Sequence, residues 1–148
     1  MSNITIIYGS GGGNTELVCE KVAEVLGAKN HKITLLKAKL TKPEDVGDFD
    51  VLILASPTYG HGQLETYFEK FFMSFQNADL KGKKCCTIGL GDMKYDSDYL
   101  IESANIIEEF YKEKEAEVII RPLKIAKSPI PHLDGLVAKW AEELSNLI

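Results

Sequence analysis

Three stretches of the chain carry residue types that could do chemistry. The first is Gly9-Ser10-Gly11-Gly12-Gly13-Asn14-Thr15, which joins an apolar run to a helical pattern. Its glycines let successive backbone N–H groups converge on one anion. A helix N-terminus adds partial positive charge there, and Ser10, Asn14 and Thr15 add side-chain donors. No Lys or Arg lies in the loop, so neutral dipoles would hold a phosphate, which suits a terminal monophosphate better than a triphosphate with Mg²⁺. A nucleoside-triphosphate loop would need Gly-Lys-Ser or Gly-Lys-Thr, and neither is present. A dinucleotide fingerprint also fits badly, because Asn14 stands where the third glycine belongs and the second strand ends in Leu36-Lys37 rather than an acid. A plain strand-to-helix turn is the other reading of the loop, but three consecutive glycines lose more chain entropy than such a turn requires.

The second stretch is Ser56-Pro57-Thr58-Tyr59-Gly60-His61-Gly62 and the third is Gly91-Asp92-Met93-Lys94-Tyr95-Asp96-Ser97-Asp98. Tyr59 and Tyr95, on two loops at one sheet edge, could sandwich a planar ring. Tyr59 equally suits packing on a neighbouring helix. Acids at a helix start account for Asp96 and Asp98 but not for Tyr95. His61 is either a titrating group near neutrality or a solvated loop residue.

Alternating elements must position these stretches. Residues 4–8 (ITIIY) are short, β-branched and followed by Gly9-Ser10, which predicts a buried strand. Asn14 or Thr15 can cap a helix with Val18, Val22 and Val25 or Leu26 at helical spacing, closed by Gly27. Residues 33–36 predict a second strand. Thr41-Lys42-Pro43-Glu44 reads as a cap with Pro in the first turn of a short helix. The continuous apolar run 51–55 (VLILA) predicts a central strand. Residues 64–75, apolar at 64, 67, 68, 71, 72 and 75, predict a helix. A fourth strand follows at 85–90 and a helix at 99–111. The fifth strand, 118–125, is interrupted at Arg121-Pro122, which places it at a sheet edge. Residues 133–147 predict the closing helix, with Trp140 in the core.

Five strands, each followed by a helix, predict an α/β doubly wound parallel sheet with helices on both faces. Without repeats, linkers or low-complexity tracts, one domain over 1–148 is expected. Ligands of such sheets bind beyond the carboxyl ends of the strands, at the switch in strand order. Loops 9–15, 56–63, 91–98 and 126–131 are therefore the ones that can build a site.

Composition narrows the function classes. The formal charge of −5 disfavours binding to nucleic acid or anionic lipid through simple electrostatics. No apolar run approaches the ~20 residues of a membrane helix. Residues 1–8 lack the pattern of a signal peptide. Cys19, Cys85 and Cys86, with no CxxC spacing, read as buried reduced thiols, so a cytoplasmic location without a structural zinc site is expected. His31 and His132 show no metal-ligand spacing.

Over essentially its whole length the chain resembles the flavodoxin family, short-chain type. Tyr8-Gly9-Ser10-x-x-Gly13-Asn14-Thr15 is similar to that family's phosphate loop, Thr58-Tyr59-Gly60 to its first flavin-flanking loop and Gly91-Asp92-x-x-Tyr95 to its second. The resemblance implies a five-stranded parallel sheet of order 2-1-3-4-5, an order for which flavodoxin is itself the standard example. It implies noncovalently bound FMN held by Ser10, Gly11, Gly12, Gly13, Asn14 and Thr15, with Pro57, Thr58, Tyr59, Gly60, His61, Gly91, Asp92 and Tyr95 around the ring. It implies a monomeric, low-potential electron carrier, fed by an NAD(P)H-flavodoxin reductase-like donor and emptied by oxidoreductase acceptors. A small FMN-dependent quinone or NAD(P)H reductase is the alternative, as is an interaction domain that binds FMN weakly or not at all. The acids Glu65, Asp92, Asp96, Asp98 and Glu102 are expected to rim the site and to steer docking. Family members usually carry Thr at the position of Gly12 and often one at Gly11. Loss of such a hydroxyl, worth ~1.5–3 kcal/mol against a charged acceptor, is expected to lower FMN affinity by roughly one to two decades.

Overall fold

In a computed structural model, which describes residues 1–59, 63–91 and 101–148, the apolar runs become strands stacked side by side. β1 (Asn3–Tyr8), β2 (Lys32–Lys37), β3 (Val51–Tyr59) and β5 (Lys84–Leu90) pair in parallel. Register places Ile6 between Leu35 and Ile53, and Ile53 opposite Cys86. A two-residue ribbon, β4 (Gln63–Leu64), pairs antiparallel with the end of β3. The last strand comes as two pieces, β6 (Glu117–Val118) and β7 (Leu123–Ile125), both parallel to β5. The path β2-β1-β3-β5-β6 is the expected 2-1-3-4-5 order, and the break falls at Arg121-Pro122 as expected.

The alternation of side chains along each strand feeds two cores. On one face Ile4, Ile6, Val51, Ile53 and Ile88 meet α1 (Asn14–Ala28) and α4 (Ala138–Ser145), with Trp140 buried among them. On the other, Ile7, Leu52, Leu54 and Cys85 meet α2 (Thr66–Ser74) and α3 (Glu102–Glu113) through Phe68, Phe71, Phe72 and Phe110. Helices therefore cover both faces, as the alternation predicts.

Several boundaries differ from the sequence reading, each for a physical reason. β3 runs on through Ser56, Pro57, Thr58 and Tyr59. Ala55 turns its carbonyl to Gly9 N–H, so Pro57 faces the same edge two residues on, past the end of β1, where a missing N–H costs no ladder bond. Gly27 stays inside α1; the left-handed residue that ends it is Asn30, at φ 70°, a residue type that tolerates this conformation. The α1 cap is Gly13 rather than Asn14 or Thr15. Residues Pro43–Asp45 form only a single 3₁₀ turn, held by Lys42 N–H donating to the Asp45 carboxylate. Before α4 the chain passes through a 3₁₀ turn (Ile130–His132) and a π turn (Leu133–Val137), so the closing helix begins later than its apolar spacing suggests.

Candidate functional site

The chain leaves β1 for β2 on one side and returns to β3 on the other, so the strand order switches between β1 and β3. A crevice beyond the carboxyl ends of these strands is where a parallel sheet holds a ligand. It contains a cavity of about 250 Å³ lined by Ser10, Gly12, Asn14, Thr15, Pro57 and Tyr59, together with Leu90, Gly91 and Lys127.

The glycine-rich loop is shaped by contact and by conformation. Gly9 N–H donates to Ala55 O at 3.0 Å. A Cβ on Gly9 would lie 2.5 Å from Phe68 Cβ, so the loop can press onto α2 only as glycine. Gly13 sits at φ 87°, a conformation that side chains resist. It opens α1 with no side-chain cap, so the first-turn amides remain available to an external acceptor. Gly13 N–H donates to Ser10 Oγ at 2.9 Å, and Gly11 N–H donates to Tyr59 Oη at 3.0 Å.

Thr15 supplies the most telling atom. The residue is 1% exposed, yet its Oγ1 has no hydrogen-bond partner among the described residues. Buried hydroxyls are nearly always paired, because an unpaired one costs about 1–3 kcal/mol. A phosphate at the head of α1 would supply the missing partner. Uncapped amides, Ser10, Asn14 and Thr15 are neutral donors, and Lys127 at the cavity wall is a cation. This donor set suits a phosphate monoester dianion.

Not every residue named from sequence turns toward the cavity. Thr58 is buried, donates from Oγ1 to Ser103 Oγ at 2.9 Å and accepts from Ser103 N–H at 3.1 Å, while Ser103 Oγ donates to Ser56 O at 2.9 Å. Its hydroxyl locks the end of β3 to α3 and does not reach the cavity. Tyr59 stands at the tip of β3, 37% exposed, bonded to the loop and lining the cavity beside it. Gly91 donates its N–H to Ile125 O at 2.8 Å, and a Cβ there would lie 3.1 Å from Ala126 O. Gly60, His61, Asp92 and Tyr95 lie outside the described residues, as do Asp96 and Asp98.

Glu65, expected at the rim, is instead 3% exposed and caps α2, accepting from Tyr67 N–H at 2.7 Å and Phe68 N–H at 3.2 Å. Lys127 has no motif to announce it. It was findable only as the one cation type near the start of loop 126–131, which the topology brings to the crevice. Burial pushes the Cys19, Cys85 and Cys86 thiols up, Cys85 to about 12, so these cysteines stay protonated and inert.

Comparison with known proteins agrees with this geometry. The sequence profile of the family described as Flavodoxin matches residues 6–140. A flavodoxin of Maridesulfovibrio salexigens is 36% identical over 151 residues, covering 100% of both chains. Oxidised Flavodoxin 2 from Bacillus cereus superposes with a TM-score of 0.83 at 31% identity, over 98% of this chain and 96% of that one. A Fusobacterium nucleatum flavodoxin bound to flavin mononucleotide shares the fold, with a TM-score of 0.83 at 17% identity over 99% and 98% of the two chains.

Proposed function

The chain belongs to the flavodoxin family, and from that premise we propose that it carries electrons between redox partner proteins on a noncovalently bound FMN. The observation that carries this reading is the buried, unpartnered hydroxyl of Thr15 at the uncapped head of α1. FMN, when bound, supplies the redox chemistry, taking up and releasing electrons at its ring system. The chain's own part is to bind, orient and shield it. Ser10, Gly12, Asn14 and Thr15 would hold the phosphate with neutral donors, and Lys127, which also lines the cavity, would add charge. Gly11 N–H joins them once the Tyr59 hydroxyl gives up its bond. Tyr59 and Tyr95 flank the ring, with Pro57, Gly60, His61, Gly91 and Asp92 completing its border. Thr58 acts through Ser103 by fixing the end of β3.

The chain is a carrier rather than an enzyme, which displaces a quinone or NAD(P)H reductase as the reading. Its partners are redox proteins: an NAD(P)H-dependent reductase as donor and oxidoreductases as acceptors. It works as a cytoplasmic monomer, one domain over 1–148. No helix among the described residues is long and apolar enough to cross a membrane.

The test is a visible absorbance spectrum of the purified protein followed by an FMN titration. Stoichiometric quenching of flavin fluorescence is expected, with no reduction by NAD(P)H alone. A colourless protein that ignores FMN overturns the reading, and rapid reduction by NAD(P)H alone returns the reductase.

A further inference from the structure

A basic groove runs beside the crevice, on the far side of Tyr59. One part is a cavity of about 370 Å³ lined by Ser10, Gly11, Lys37, Lys39, Tyr59 and Tyr67. It continues into a second part of about 540 Å³, which shares Lys39 and Tyr67 and is lined further along by Lys42 and Lys70. Four lysines thus face one groove on a chain whose net charge is −5. Lys37 lies 3.7 Å from Glu16. Lys39, Lys42 and Lys70 make no salt bridge among the described residues. Two acids also line the groove. Glu65 is buried with its carboxylate held by α2 amides, and Glu44 stands at the far end. The local field is therefore positive where the molecule as a whole is negative.

Apolar surface accompanies the charge. Tyr67 is 47% exposed at the centre of the groove, with Lys39 Nζ 4.9 Å from its ring centroid. Leu40, next to Lys39 in sequence, is 76% exposed. A large apolar side chain ringed by like charges is the usual make-up of a docking anchor with a polar rim.

We propose that this groove docks an acidic protein segment that carries an apolar or aromatic side chain. The lysines are strung along the end of β2, the 38–42 stretch and α2, and they do not converge on one point, as a site for a single phosphate would require. A polynucleotide would meet the net negative charge of the rest of the chain. The acids of the partner pair with the lysines, and its apolar residue packs on Tyr67 beside Lys39. Docking there puts the partner one side chain, Tyr59, away from the crevice, and it needs no FMN in place.

The full chain, isotope-labelled and with its FMN content read from visible absorbance, is titrated with a short synthetic peptide rich in Asp and Glu that contains one Leu and one Tyr. Saturable amide shifts confined to residues 37–42 and 66–74 and to the adjoining groove wall at Ser10, Gly11 and Tyr59 are expected, whether or not FMN is bound. They should fade as ionic strength rises from about 0.01 M to about 1 M, where the screening length falls from about 30 Å to about 3 Å. Replacing Lys39→Glu, Lys42→Glu and Lys70→Glu together should weaken the peptide at least about tenfold without changing the FMN titration. The triple Lys→Gln variant serves if the charge reversal unfolds the chain. No shifts, shifts elsewhere, or undiminished binding by the folded triple variant overturns the proposal. Equal saturation by inorganic phosphate or by a single-stranded oligonucleotide would assign the groove to those ligands and overturn it too.

Discussion

At the scale of single residues, Thr15 and Gly12 separate what binds phosphate from what holds the fold. Thr15→Val keeps the buried shape and deletes the unpaired hydroxyl. Removing an unsatisfied buried group should raise the stability of the FMN-free protein by about 1 kcal/mol, while loss of a charged hydrogen bond weakens FMN by roughly tenfold or more. Thermal melts without FMN and a fluorescence titration read the two effects separately. Unchanged affinity would remove Thr15 from the phosphate site. Gly12 has open space around a Cβ and no positive φ, whereas a Cβ on Gly11 would lie 2.3 Å from Tyr59 Oη. Gly12→Thr should therefore tighten FMN by about one decade through an added donor, whereas a side chain at Gly11 must first displace the Tyr59 hydroxyl. A Gly12→Thr chain that binds no better than its parent would show that the hydroxyl does not reach the phosphate.

At the scale of elements, α2 depends on one side chain for its start. Glu65 is buried beneath Gly9, accepts from two α2 amides, and donates its own N–H to Ser56 Oγ at 3.3 Å. Glu65→Ala leaves those amides unpaired and should cost about 2 kcal/mol. For a chain of this size that corresponds to a melting temperature lower by roughly 4–8 °C. Glu65→Gln keeps one acceptor and should lose less; equal melting of parent and alanine variant would refute the cap. This role was invisible in the sequence, where Glu65 reads as a surface acid ahead of a helix. The strands were legible because ITIIY and VLILA are continuous apolar runs, and the break in the last strand was legible because Pro122 cannot donate. The extension of β3 through Ser56-Pro57-Thr58 was not, since those residue types signal a turn and only the pairing of Ser56 and Pro57 with β5 and of Thr58 with β4 overrides them. The late start of α4 was hidden because apolar spacing does not separate a π turn from an α turn. At the crevice, the glycine-rich loop announced itself by composition, whereas Lys127 and the Tyr59–Gly11 bond arise only from tertiary proximity.

At the scale of the whole molecule, both ends of the sequence meet at one histidine. His31, just before β2, accepts from Ser2 N–H at Nδ1, 3.1 Å away, and its Nε2 lies 3.0 Å from Ser145 Oγ at the end of α4. A backbone N–H can only donate, so Nδ1 carries no proton, and the neutral ring donates from Nε2 to Ser145. Protonation at Nδ1 would set two donors face to face. Burial first, and the positive amino terminus second, hold the His31 pKa below its ordinary value. The sign of the stability effect follows. With a depressed pKa in the folded chain, the unfolded chain binds more protons as pH falls below about 6.5, so stability is lost on acidification through that range and on down to the folded-state pKa. Melting temperature should therefore drop between about pH 7 and pH 5, ahead of carboxylate titration. His31→Gln, which retains an acceptor and a donor, should flatten that part of the profile. His61 and His132 are present in both proteins, so the difference between the two melting profiles isolates His31. Parallel profiles would mean that the contact closing β1, β2 and α4 together does not depend on the charge of this ring.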